Sequence, residues 1–198
     1  MGGLKRFLPI IAFIGVNLLI VGVIVVLQSS KNEPKVVTDE SGNEYTLGVS
    51  ESDTPIRQIS PGDKAPDFTL QTYDGKVVEL ASLYKEQPVI LQFWATWCHI
   101  CEREFPENSE FSKKNKDKFH FVAVNWAEST GQVESYIKRK GLDPTAITFL
   151  MNESSDVIHA YGVRGTPTHV IVDTKGTIVF YNIGYTTTDQ FSSVIDSL

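Results

Sequence analysis

Cysteine is nearly missing from this chain of 198 residues: there are two, Cys98 and Cys101, three positions apart. A tetrahedral metal site would need further ligands, and the four histidines, His99, His120, His159 and His169, stand at no matching spacing, so no metal is expected. Basic charge is also in deficit. The formal net charge of −6 argues against nucleic acid as a partner. Two of the 18 basic residues, Lys5 and Arg6, stand at the very start, so the remainder is more acidic still.

Charge of either sign is absent from Phe7 to Leu27, a run of 21 residues. As a helix at about 1.5 Å per residue this run spans roughly 31 Å, the thickness of a bilayer core. Residues 7–27 are therefore expected to cross a membrane once. A cleaved signal peptide is the competing reading, but its apolar region is usually about 7–15 residues long and ends in a small-x-small site. Leu27-Gln28-Ser29-Ser30 matches that poorly, and no cysteine is present for lipid attachment, so an uncleaved anchor is favoured. With Lys5 and Arg6 before the span and mixed charge after it, residues 1–6 are expected in the cytoplasm and the rest outside it, on the periplasmic or outer face of the cell membrane. Disulfide exchange has its substrates there.

From 28 to 60 the composition turns to Ser, Asn, Glu, Asp, Pro and Gly, which reads as a tether. Lys35–Thr38 and Glu44–Leu47, flanking Ser41-Gly42-Asn43, are hairpin candidates within it. Such a hairpin is marginal unless it docks on the domain.

Both cysteines fall where a strand hands over to a helix. Val89-Ile90-Leu91-Gln92-Phe93-Trp94-Ala95 has the length and the aliphatic and aromatic content of a buried strand, and helix formers follow Trp97 as far as Pro106. Residues three apart on a helix lie about 5–6 Å from each other, the separation a disulfide needs. The pair can therefore open and close without refolding. Free N–H groups and the helix dipole at the first turn favour an anion, so Cys98 is expected to have a lowered pKa and to attack as the thiolate, with Cys101 resolving. A structural bridge, a pair of metal ligands and two unpaired core residues are the alternatives. A bridge closing so small a loop constrains the unfolded chain little, and redox chemistry is preferred.

Elsewhere strands and helices alternate, which calls for an α/β sheet. Pro61–Leu70 reads as a loop leading into a short strand, which turns at Tyr73-Asp74-Gly75-Lys76 and returns over Val77–Leu80 as a hairpin, and Phe119–Trp126 reads as a strand. Ser129-x-x-Gln132 opens a helix that Gly141 stops. Ala146–Leu150 is a strand, Ser155–Tyr161 a short helix, and His169–Val172 and Thr177–Ile183 form a second hairpin. A last helix from Asp189, capped by Thr188, closes the chain.

Three separated motifs then stand in order: Gly62-x-x-Ala65-Pro66-x-Phe68-x-Leu70; Phe93-Trp94-Ala95-Thr96-Trp97-Cys98-x-x-Cys101-x-x-Glu104-x-Pro106; and Gly162-Val163-x-Gly165-Thr166-Pro167-Thr168, followed by a strand and Asp173-x-x-Gly176. Together they resemble the membrane-anchored TlpA/ResA-like thiol-disulfide oxidoreductases of the thioredoxin superfamily, with an AhpC/TSA-Redoxin-like domain over residues 61–198. The resemblance implies a thioredoxin-like α/β fold: a central mixed sheet flanked by helices, with an N-terminal β-hairpin extension. It implies that Pro167 is a cis-proline beside the active-site disulfide, leaving the backbone of Thr166 free to pair with a substrate strand. The alternative for Pro167 is an ordinary trans proline opening a strand. Glu104 matches a glutamate that lies near the thiols and influences their protonation; from its residue type alone it reads equally as a solvated surface acid or a partner for Arg103. Phe93, Trp94 and Trp97 read as packing and shielding residues rather than chemical ones, with Trp97, adjoining Cys98, also expected as a wall of the substrate groove.

Between the cysteines stand His99 and Ile100, where many relatives have proline at the second position. These two are expected to tune the redox pair: a positive imidazole at His99 would stabilise the Cys98 thiolate and make the pair more oxidising, a neutral one would not. The resemblance implies reduction of protein disulfides, as of apocytochrome c during cytochrome c maturation, fed by a membrane electron donor of the CcdA/DsbD type. No non-protein cofactor is implied, because the cysteine pair carries both electrons. An oxidant that introduces disulfides, a peroxidase and a non-catalytic membrane-tethered binding module are the rivals. The peroxiredoxin pattern Pro-x-x-x-Thr-x-x-Cys would need threonine where Ala95 stands.

Overall fold

The computed structural model describes residues 35–49 and 59–198. The expected membrane span at 7–27 lies outside the described residues. Among those described, no helix is long and apolar enough to cross a membrane.

Among the described residues, ten strands and five helices follow in the order β1 (Val36–Thr38), β2 (Glu44–Thr46), β3 (Gly48–Val49), β4 (Phe68–Thr72), β5 (Val77–Glu79), α1 (Leu80–Glu86), β6 (Val89–Trp94), α2 (His99–Lys114), β7 (His120–Asn125), α3 (Thr130–Lys140), β8 (Thr148–Met151), α4 (Asp156–Ala160), β9 (Thr168–Val172), β10 (Ile178–Ile183) and α5 (Thr188–Ile195). β1 and β2 pair as an antiparallel hairpin. The main sheet runs β10-β9-β6-β7-β8-β4-β3, with β5 also on β4. β6, β7 and β8 are parallel and the remaining pairings antiparallel. This is the mixed sheet of a thioredoxin-like α/β fold.

Central strand β6 is buried along its whole length, which is why it reads as an unbroken apolar run rather than an alternation. Val89, Leu91 and Phe93 join the core that includes Val157, Ile158 and Tyr161 of α4 and its C-cap. Ile90 and Trp94 join the opposite core, with Cys101 and Phe105 of α2, Val133 and Tyr136 of α3, and Phe191 of α5. On this second face Trp94 packs edge-on against Phe105, ring centroids 5.0 Å apart, and against Phe149 at 5.7 Å.

Four local features depart from the sequence expectations. The stretch taken as a tether contributes β3 to the edge of the sheet, where Gly48 pairs with Thr69, and Ile59 to the core. Leu80, expected to end a strand, begins α1, because the carboxylate of Asp67, 14 residues earlier, accepts the Ala81 N–H at 3.0 Å and supplies a cap that the local sequence lacks. Helix α2 continues through Pro106 to Lys114. Proline there forfeits one backbone hydrogen bond, at a cost of about 3 kcal/mol, but Phe105, Asn108 and Ser112 keep the buried face running past it. Finally, α5 is capped by Thr187 rather than Thr188, since the Thr187 hydroxyl accepts from Gln190 N–H at 3.2 Å while Gln190 reaches back to Thr187 N–H at 2.9 Å.

Candidate active site

After β6 ends at Trp94, three residues carry the chain out to Cys98, which is the N-cap of α2. Its Sγ accepts the N–H of Cys101 at 3.1 Å, so sulfur occupies the place where a helix end stabilises negative charge. Cys98 and Cys101 are joined as a disulfide with Cα atoms 5.3 Å apart, the spacing that three helical positions supply. Both sulfurs' residues are buried. Next to them Trp97 is 61% exposed, His99 is exposed and Ile100 is half-buried. Glu102, the acid in the first turn, is held below the usual carboxylate range chiefly by its hydrogen bond from Lys140.

The Thr166–Pro167 peptide is cis. β9 begins one residue later, with Thr168 opposite Phe93 in an antiparallel pair. That register puts Pro167 at the end of the sheet from which the Ala95–Cys98 segment departs. The Pro167 carbonyl accepts from Gly184 N–H at 2.8 Å, and the Thr166 hydroxyl oxygen is buried with no protein partner.

Glu104 is neither a solvated acid nor a partner of Arg103. It is 1% exposed, with Oε2 accepting from Gln92 Nε2 at 2.9 Å and Oε1 from Thr186 N–H at 3.0 Å. His169 Nε2 lies 3.5 Å from Oε2. Gln92 and His169 are directly opposite each other on β6 and β9, and Asn182 of β10 stands opposite His169 on the other side. A polar row thus crosses three adjacent strands of a mostly apolar sheet face, beneath α2. Asn108 of the same helix donates to Gln92 Oε1 at 3.3 Å, and Asn182 Nδ2 to Thr186 Oγ1 at 3.0 Å. A buried carboxylate is tolerated when hydrogen bonds of this kind satisfy it.

Sequence reasoning passed over this row, and also Glu128. On the connection after β7, Glu128 accepts from the backbone N–H of Thr96 at 2.7 Å and from Asn125 Nδ2 at 2.8 Å. The one signal available was polarity in apolar surroundings: Gln92 interrupts the run Val89–Trp94, and His169 opens the run His169–Val172. Among the described residues, no group of three or more His, Cys, Asp or Glu side chains is arranged to hold a metal ion.

Comparison with known proteins agrees with this geometry. Residues 60–198 match the Redoxin family model. The chain is 33% identical over 139 residues to thiol-disulfide oxidoreductase ResA of Bacillus thuringiensis strain Al Hakam, covering 69% of this chain and 78% of that protein. It is 33% identical over 142 residues to the thioredoxin-like protein YneN of Bacillus subtilis, covering 70% and 80%. Among solved structures, the exposed lipoprotein thioredoxin of Streptococcus pneumoniae strain TIGR4 superposes with a TM-score of 0.58 at 31% identity, over 67% of this chain and 99% of that one. A thiol:disulfide interchange protein of Chlorobium tepidum gives a TM-score of 0.60 at 26% identity, over 71% and 98%. With a Cys-x-x-Cys pair bridged at a helix start on a thioredoxin-like sheet, this chain belongs to the Redoxin family and is a thiol-disulfide oxidoreductase.

Proposed function

We propose that the protein reduces disulfides in other proteins outside the cytoplasm while anchored to the membrane through residues 7–27. The observation that carries the reading is the Cys98–Cys101 bridge at the start of α2, with Trp97 exposed beside it. In the dithiol form Cys98, at the helix N-cap, attacks a partner disulfide as the thiolate. One partner sulfur leaves and a mixed disulfide remains on Cys98. Cys101, one turn deeper and buried, then attacks Cys98, which re-forms the bridge and frees the second partner sulfur. Trp97 and the backbone at Thr166, before the cis bond to Pro167, receive the partner segment, and Glu104 acts on the protonation of the buried thiol. His99 and Ile100 tune the potential of the pair.

Placement outside the cytoplasm is supported by the uncharged run at 7–27 behind Lys5 and Arg6 and by the pneumococcal relative, an exposed lipoprotein. The partner class fitting this placement is an apocytochrome c whose cysteines must be reduced before haem attachment, and re-reduction calls for a membrane donor of the CcdA/DsbD type. Cys101→Ser tests the reading by trapping. The variant is expected to accumulate a mixed disulfide through Cys98 with apocytochrome c in membranes, released by dithiothreitol. Absence of any Cys98-linked adduct, with Cys98→Ser leaving turnover intact, would contradict it.

A further inference from the structure

β10 is the outermost strand at one end of the main sheet, bonded to β9 on its inner side. In an antiparallel pair, residues that exchange hydrogen bonds alternate with residues whose backbone groups point away. The Gly184 N–H donates to the Pro167 carbonyl at 2.8 Å, and the register puts Ile183 opposite Thr168, Asn182 opposite His169 and Tyr181 opposite Val170. Asn182 therefore bonds toward β9, while the N–H and C=O of Tyr181 and Ile183 point to the open side. At the other end of the strand the loop before β4 occupies that side. Gly62 N–H donates to the Ile178 carbonyl at 2.8 Å, and Ile178 N–H to the Asp63 carbonyl at 2.9 Å. Among the described residues no main-chain group does the same for Tyr181 or Ile183.

Edge strands that stay single are usually short, charged or interrupted by proline. The opposite end of the sheet follows this rule, since β3 has two residues. β10 does not. It has six, Ile178-Val179-Phe180-Tyr181-Asn182-Ile183, and the chain carries neither charge nor proline from Thr177 to Thr188. Ile183 is 48% exposed. The one irregularity of register, between Ile178 and Phe180, lies toward the end that the loop already covers.

We propose that this edge pairs with the same edge of a second copy of the chain, β10 antiparallel to β10 about a two-fold axis. The register is self-complementary. With Asn182 opposite its own counterpart on the axis, Tyr181 of each copy faces Ile183 of the other, and the bonds so formed use every outward N–H and C=O at these two positions. Residues directly opposite share a face of the sheet, so each exposed Ile183 gains a Tyr181 ring as its neighbour, an aromatic and β-branched pair of the kind that stabilises sheets. Charge points to the same occupant. The chain carries a net −6, so two copies repel over most of their surface, but at this uncharged edge they meet with no like charges opposed.

The test uses the full-length protein in detergent micelles, its mass read by light scattering with the detergent subtracted and its amide hydrogen exchange followed residue by residue. A dimer is expected. The Tyr181 and Ile183 amides should exchange at least about tenfold more slowly in the dimer than after dilution to monomer, while the Asn182 amide, bonded to β9, is protected in both. Ile183→Lys alters an exposed side chain and puts a charge on the edge of each copy; it should be monomeric, with fast exchange at Tyr181. A monomeric unaltered protein would overturn the proposal. So would a dimer that survives Ile183→Lys or leaves the Tyr181 amide unprotected, since the contact then lies elsewhere in the chain. Protection of Tyr181 and Ile183 in a monomer only after a disulfide-bonded peptide is added would give the edge to a partner strand and equally overturn pairing with a second copy. Neither readout depends on Cys98 or Cys101, so failure here leaves the thiol-disulfide activity standing.

Discussion

Glu128 accepts two hydrogen bonds from Thr96, one from its backbone N–H at 2.7 Å and one from its hydroxyl. Thr96 stands two residues before Cys98, and Glu128 is steadied in turn by Asn125 through bonds of 2.8 and 3.1 Å. The loop bearing the attacking sulfur is thus fastened to the end of β7. Glu128→Ala is expected to cost about 1–3 kcal/mol, the range for charged hydrogen bonds left unmade, in urea unfolding. The same variant should slow alkylation of Cys98, because the loop no longer holds the sulfur at the helix cap. An unchanged alkylation rate would mean that α2 alone positions the cysteine.

Trp97 is 61% exposed and buries little, so Trp97→Ala should change stability by no more than about 0.5 kcal/mol. As a wall of the partner groove it should lower kcat/KM for a protein disulfide well beyond its effect on oxidised dithiothreitol. Equal losses on both substrates would remove Trp97 from partner recognition.

His99, in the first turn of α2 beside Cys98, is exposed. A protonated imidazole there favours the thiolate, whereas a neutral one does not. His99→Ala is expected to shift the equilibrium reduction potential of the Cys98–Cys101 pair, measured against glutathione, and an unchanged potential would remove His99 from redox tuning.

Asp143 is held well below the ordinary carboxylate range, first by its hydrogen bond from Lys113 and then by those from Thr145; the Lys113 ion pair measures 2.6 Å. A folded-state pKa below the unfolded one means that the contribution is fully present above about pH 4 and is lost as pH falls toward the folded value. Asp143→Asn should therefore lower stability by about 0.5–1 kcal/mol at pH 7, the partly exposed pair being screened by solvent. The difference from the unaltered protein should shrink below pH 4. A difference that does not depend on pH would show that the charge of Asp143 contributes nothing to stability.

The parts of this molecule legible in its sequence are those written by neighbours along the chain. β6 and the start of α2 follow from an apolar run meeting helix formers, and the opening of α3 follows from Ser129 and Gln132, which bond at 2.8 Å. Gly141, with φ of 60°, ends that helix as a residue without a side chain can. What was hidden depends on distant partners. α1 owes its first turn to Asp67 across 14 positions. Glu104 takes its hydrogen bonds from Gln92 and Thr186, 12 and 82 positions away, and neither separation leaves a local pattern. Pro106 reads as a stop because the rule for proline is local, whereas the burial that carries α2 past it is not.

The most direct measurement is the equilibrium reduction potential of the Cys98–Cys101 pair in the full-length protein, titrated against dithiothreitol or glutathione with trapping of free thiols. A reductant fed through the membrane requires a value near or below about −270 mV, that of thioredoxin, and this is the expected result. A value near about −120 mV, that of a strong oxidant, would contradict it and make the protein a donor of disulfides.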